Sequence, residues 1–167
     1  MELWDVVNRD GSTTGRTIVR GQPLQTGEYH LVVHIWVIDD VGQFLIQKRA
    51  DHIQLFPGVW ATTGGSALAG ENSQTAAMRE LREEMGIDVQ PDNLRKLRRI
   101  VRADNLLDIW LVETAVSLEE LRLQKEEVSA AMLVDRDTLQ RMIGAGTFHN
   151  YGRDYMDIVF GATANRM

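Results

Sequence analysis

The chain has 167 residues, 44% of them apolar and 25% charged, with a formal net charge of -6 and no cysteine. That length suits one domain over residues 1–167 with a substantial core; no apolar run approaches the roughly 18 residues that cross a bilayer; and disulfides, thiolate metal sites and thiol nucleophiles are excluded. The acidic balance argues against a nucleic-acid partner, although bound cations can reverse the sign around an anionic substrate.

The first residues, Met1-Glu2-Leu3-Trp4-Asp5, are acidic and lack the basic-then-apolar order of a signal peptide, so a cytoplasmic address is expected. Leu3–Val7 reads as a strand, Asn8-Arg9-Asp10-Gly11 as a turn and Thr13–Val19 as the returning arm, making residues 1–25 a hairpin extension. Residues 29–38 are nearly all apolar and rich in β-branched side chains, as in a central strand buried on both faces. Asp39-Asp40-Val41-Gly42 turns the chain, residues 44–48 form the next strand, and Pro57-Gly58 and Gly64-Gly65 punctuate a long irregular stretch. A helix is predicted over Ser73–Met85, capped by Asn72 or Ser73 and ended by Gly86, with Met78, Leu81 and Met85 on its core face. Strands follow at 94–101, 109–116 and 130–134, then a short helix capped by Asp135 or Asp137 and a last helix over 154–160. Strands and helices interleave without strict alternation, which describes an α/β chain with a mixed sheet covered by helices.

The chemistry concentrates in residues 65–87. Glu80, Glu83 and Glu84 stand at i, i+3 and i+4, so they share one side of the helix, where like charges repel. Arg79 and Arg82 offset part of that charge, and a hard divalent ion such as Mg²⁺ or Mn²⁺ suits the remaining oxygens. Three glutamates in isolation more commonly make a solvated acidic face. Here Gly64-Gly65 opens a loop able to approach a ligand closely, and Gly70-Glu71 adds a fourth carboxylate before the helix. Gly65 and Gly70 have the spacing of a phosphate-binding P-loop, but Glu71-Asn72 replaces its Lys-Ser/Thr pair, so that reading fails.

Gly65, five residues, Glu71, seven residues, Arg79-Glu80-Leu81, one residue, Glu83-Glu84, one residue and Gly86-Ile87 together match the Nudix box at every defined position. Residues 42–49, Pro57-Gly58-Val59-Trp60 and Glu126-Glu127-Val128 resemble its usual flanks. The resemblance implies a Nudix fold, an α/β/α sandwich with a mixed sheet between helices. It implies a pyrophosphohydrolase using Mg²⁺ or Mn²⁺, in which metal-activated water attacks phosphorus of a nucleoside diphosphate linked to another group. Residues 64–87 would be the catalytic loop–helix–loop. Glu80, Glu83, Glu84 and the Gly64 carbonyl would be the metal ligands, with Gly65, Glu71, Arg79 and Gly86 supporting the box. The general base differs among such proteins; it is either a box glutamate or one from a later loop, for which Glu127, with Glu126 behind it, is the candidate here. Homodimers are common in families of this kind, which makes a second copy the macromolecular partner to consider.

The flanks are also similar to isopentenyl diphosphate isomerases, a branch of the same superfamily. Their catalytic cysteine and a second histidine ligand are missing, since Gly64-Gly65-Ser66 stands in their place. A third alternative is a non-catalytic module that binds a nucleotide or metabolite; retention of the box glutamates disfavours it. His30 reads either as a hydrogen-bonded core histidine or as the isomerases' metal ligand. The basic run Arg95, Lys96, Arg98, Arg99 and Arg102 suits protection of an exposed strand better than RNA or phosphate binding. Trp36, Trp60, Trp110 and Tyr151 could stack a base, but most of them suit a core or an interface. Trp60, next to the box loop, and Arg49 are candidate substrate contacts, and residues 147–155 suit either a pocket wall or a surface loop.

Overall fold

The computed structural model describes residues 1–166. β1 (Leu3–Val7) and β2 (Thr13–Val19) pair antiparallel as a separate two-stranded sheet. Their turn closes where the Gly11 N–H donates to the Asn8 carbonyl at 2.9 Å, with Gly11 at φ 88°, a conformation open to glycine. Val6, Val7 and Ile18 are buried against the main body.

The other strands form a seven-stranded mixed sheet. They are β3 (His30–Ile38), β4 (Phe44–Arg49), β5 (Trp60–Ala61), β6 (Thr63–Ser66), β7 (Leu94–Val101), β8 (Asn105–Glu113) and β9 (Val128–Val134). The path runs β5-β4-β3-β8-β7, with β6 also on β3 and β9 also on β4. β3 and β8 run parallel while the other pairs are antiparallel. Two-residue alternation along β3 divides the core. Val33, Ile35 and Val37 meet α1 (Ser73–Met85) on one face, while Trp36 and Ile38 meet α2 (Arg136–Ala145) and α3 (Arg153–Thr163) on the other. Helices on both faces of a mixed sheet make an α/β/α sandwich. No described helix is long and apolar enough to cross a membrane.

α1 begins at Asn72, whose side chain accepts from the Thr75 N–H at 2.9 Å, and ends at Gly86 with φ 72°. Its deepest residues are Ala76, Ala77, Leu81 and Met85; Met78 is only half-buried. α2 is capped by Asp135, which accepts from the Thr138 N–H at 2.7 Å.

Three expectations change. The stretch around Gly64-Gly65 is not a loop: β6 pairs with β3, Gly64 opposite His34. Glycine serves there because a Cβ on Gly64 would stand 2.6 Å from the Val33 carbonyl oxygen, too close for any other residue. β8 starts at Asn105 and ends at Glu113, earlier at both ends than the expected 109–116. Within the earlier start lies Asp108, fully buried and satisfied by Lys96 and Arg99. β9 likewise begins earlier, at Val128.

Candidate functional site

The carboxylates of α1 sort by depth. Glu84 is 7% exposed, and its Oε2 accepts from the Gln47 amide at 2.6 Å. Thr63 on β6 donates its hydroxyl to Gln47 Oε1 at 2.8 Å, which turns the Gln47 amide nitrogen toward Glu84. Glu80 is half-buried, and the Glu83 side chain is 47% exposed. The three are thus graded from interior to rim, which helical spacing alone does not reveal.

Arg79 ties the cluster together. It donates to both Glu71 oxygens at 2.8 and 3.0 Å, to the Ser66 carbonyl at 3.1 Å, and to Glu80 and Glu83 at 3.0 Å each. Glu71 in turn accepts from the Leu68 N–H at 2.9 Å, closing the loop onto the helix. Gly65 is needed for this approach: a Cβ there would lie 2.2 Å from Glu80 Oε1. Gly86 is similarly crowded, with Arg122 backbone nitrogen 2.8 Å from where its Cβ would be.

These parts open into a cleft of about 220 Å³ lined by Gly64, Gly65, Glu80, Glu83, Glu84 and Glu127, with Arg49 at its wall. Burial pushes the Glu84 carboxyl up to about 8, and the charges of Glu80 and Glu127 add to it against the Gln47 hydrogen bond. Burial also raises Glu80, with Glu83 and Glu2 adding and Arg79 opposing. Burial would raise Glu71 as well, but the bonds from Arg79 and Leu68 win and hold it low. The cleft therefore holds carboxyl groups that lack sufficient positive charge. Among the described residues no group of three or more His, Cys, Asp or Glu side chains stands close enough together to hold a metal ion as the side chains lie. The donor chemistry nevertheless fits a hard divalent ion, because the cleft offers carboxylate oxygens and two of its acids are pushed toward the neutral form by burial.

A second cavity of about 310 Å³ shares Arg49, Gly64, Gly65 and Ser66 with the cleft and is walled by His34, Phe56, His149 and Tyr151, with Arg102 beside them. The Tyr155 hydroxyl accepts from Trp36 Nε1 at 2.9 Å and bonds His34 Nδ1 at 2.9 Å. Burial, with Arg102 and His149, lowers His34 to about 3; burial, with Arg49 and Arg102, also lowers His149. Both imidazoles are neutral near pH 7 and present flat, hydrogen-bonding rings. Phe56 at the rim adopts φ 52°, a strained backbone for a non-glycine residue, and lies edge-on to His149 with ring centroids 4.6 Å apart.

The remaining candidates disperse. Trp60 is half-buried and packs with the core on the α3 side of the sheet, away from the cleft lining. Trp36 is in the core, and Trp110 donates to Ser73 at 2.9 Å. His30 is buried and stacks on Trp4 at 4.1 Å. Of the basic run, Lys96 and Arg99 bind Asp108, Arg95 donates to the Ala162 carbonyl, and Arg102 reaches the second cavity. Gln47, Thr63, His34 and Phe56 were not anticipated. A lone amide inside the apolar run Phe44-Leu45-Ile46-Gln47 was the signal for the first: a buried polar side chain needs a partner.

The family profile described as NUDIX domain matches residues 28–151. An uncharacterized Nudix hydrolase of Listeria monocytogenes is 40% identical over 152 residues, covering 90% of each chain. The nucleoside triphosphatase NudI of Escherichia coli is 30% identical over 122 residues, 66% of this chain and 86% of that one. In three dimensions, a Deinococcus radiodurans protein of known crystal structure aligns with a TM-score of 0.72 at 22% identity, over 88% of this chain and 91% of that chain.

Proposed function

The chain belongs to the Nudix family and is a hydrolase of pyrophosphate bonds; on that premise we propose that it cleaves a nucleoside diphosphate joined to another group, with a divalent cation, Mg²⁺ or Mn²⁺, at the carboxylate cleft. The observation that carries this reading is the buried Glu84, raised to about 8 and sharing one cleft with Glu80, Glu83 and Glu127. Glu80, Glu83, Glu84 and the Gly64 carbonyl would hold the cation. When bound, it supplies neutralisation of the substrate's phosphates and makes a nearby water more acidic.

The chain's own residues do the rest. Gln47, held by Thr63, fixes the Glu84 carboxyl through Oε2. Arg79 holds α1 and the preceding loop in register, so that the acidic groups stay on one rigid element. Glu127, which lines the same cleft, is the candidate to take a proton from the attacking water. Arg49 faces the phosphates from between the two cavities. The nucleobase lies in the second cavity against His34, His149 and Phe56, whose neutral or apolar rings suit stacking. A nucleoside substrate is also what the name of the Escherichia coli relative suggests.

The test is phosphate release from a panel of nucleoside diphosphate derivatives and isopentenyl diphosphate, with Mg²⁺ and then Mn²⁺, beside Glu84→Gln. Metal-dependent release that falls roughly 10²–10⁴-fold in the variant supports the reading. A folded protein that binds nucleotide and metal without cleaving any compound would overturn it in favour of a binding module.

A further inference from the structure

The family match begins at residue 28, so the N-terminal hairpin lies outside it. The hairpin is nonetheless built into the site. The Leu3 carbonyl accepts from the Ala69 N–H at 2.8 Å, and Asp5 Oδ2 accepts from the Gly70 N–H at 2.8 Å. Both donors belong to the loop that joins β6 to α1, so β1 is docked on the segment that positions Glu71 and Glu80. The Val7 and Tyr29 backbones exchange two bonds of 2.8 and 3.0 Å at the other end, and Trp4 stacks on His30 between them.

This docking delivers the open end of the hairpin to the cleft. Glu2 and Arg20 face each other across that end, with Arg20 Nη1 2.7 Å from Glu2 Oε2, and both line the cleft that holds Glu80, Glu83 and Glu84. Arg20 also lines a groove of about 380 Å³ with Arg49, His52, Gln54 and Glu127. Of the other cations at the cleft, Arg79 is committed to Glu71, Glu80 and Glu83. Arg49 spends its Nε on the Leu55 carbonyl. Among the described residues the Arg20 side chain pairs with Glu2, in an ion pair whose side chains are 62% and 50% exposed, and such pairs are held weakly in water. A phosphate offers the guanidinium a better, two-pronged acceptor than that carboxylate.

We propose that Arg20 is a substrate-binding residue: with Arg49 it clamps the phosphate on the side of the scissile bond away from the nucleobase, and Glu2 holds it in place until substrate arrives. The groove beyond Arg20, with His52 and Gln54, takes a polar or further phosphorylated leaving group. This rests on the hydrolase reading above. It also brings the hairpin, which lies outside the family's matched core, into selection of the leaving group beside His52 and Gln54 of that core.

Steady-state kinetics on the best substrate of the panel, with metal present, would compare Arg20→Ala, Arg20→Lys, Glu2→Gln and Arg16→Ala. Arg16 pairs with Glu28 elsewhere on the hairpin, so its removal perturbs the hairpin without touching the cleft. Arg20→Ala is expected to raise KM about tenfold or more with kcat changed little, and Arg20→Lys to recover part of the loss. Glu2→Gln is expected to lower KM a few-fold, and Arg16→Ala to behave as the parent. Turnover by the parent with an unchanged KM in Arg20→Ala, or an equal rise in Arg16→Ala, overturns the role of Arg20 alone. Absence of turnover in the parent removes the hydrolase reading and this one with it.

Discussion

A carboxyl as deeply buried as Glu84 is a cost unless something positive accompanies it. Gln47 supplies a hydrogen bond but no charge, and Glu80 and Glu127 worsen the field. In the absence of metal the group is therefore protonated near neutrality, its affinity for the proton raised from 4.5 to about 8. A raised acid stabilises the fold fully below pH 4.5, and that contribution is lost as pH rises through about 8. We expect the chelated parent to lose roughly 1–4 kcal/mol of stability between pH 5 and pH 8, read as a fall in the urea midpoint. Glu84→Gln, which keeps the shape and removes the proton, should flatten that slope and be the more stable protein at pH 8. An unchanged slope in the variant would show that Glu84 titrates as an ordinary surface acid. The same substitution that abolishes activity is thus expected to help the apo fold, which separates a functional loss from unfolding.

At the scale of elements, α1 was legible to its ends because its caps, Asn72 and Gly86, and its apolar spacing are all local signals. β6 was not, since two adjacent glycines read as a loop and only the partner strand explains them. Gly64 and Gly65 bear on different neighbours. Substitution at Gly64 meets the Val33 backbone, whereas at Gly65 it meets the movable end of Glu80. Gly65→Ala should therefore cost little stability but displace Glu80, lowering activity by roughly 10–100-fold, while its thermal midpoint stays near the parent's. A large drop in midpoint with activity retained would contradict that assignment. The start of β8 was hidden by Asp108 for a related reason: the two cations that satisfy it lie on β7, across the sheet. Burial alone would raise this carboxyl, but hydrogen bonds from Arg99 and Lys96 outweigh it and hold it below 3.8. Its contribution is present at neutral pH and disappears as acid titrates it below that value. Arg99 also donates to the Asp10 carbonyl at 3.2 Å, so the network fastens the hairpin turn to the sheet. Asp108→Asn is expected to cost about 3 kcal/mol in a urea titration at pH 7.

For the whole molecule, the box announced which carboxylates belong together, because six of its positions fall in one helix and the loop before it. The second cavity was announced only through residues 147–155, whose His149 and Tyr151 line it; its other walls come from β3 and the segment around Phe56, far apart in sequence. The net charge of -6 gathers in part at the cleft, where Glu2, Glu80, Glu83, Glu84 and Glu127 meet Arg20, Arg49 and Arg79. A cation that binds the folded cleft and not the unfolded chain must stabilise the protein by mass action, independently of any substrate. At a concentration about a hundred times its Kd the gain is roughly 2.7 kcal/mol, or about 5–10 °C in Tm for a chain of this size. Binding also displaces the Glu84 proton, so the rise in Tm on adding Mg²⁺ or Mn²⁺ should be larger at pH 8 than at pH 6. Chelator should reverse it, and Glu84→Gln should lose most of it. Calcium, which favours larger oxygen shells, is a useful third ion: stabilisation by Ca²⁺ without turnover would separate occupancy of the cleft from the chemistry performed there. No shift with any of the three ions at pH 8 would mean that Arg20, Arg49, Arg79 and the proton on Glu84 balance the cleft's negative charge without a cation.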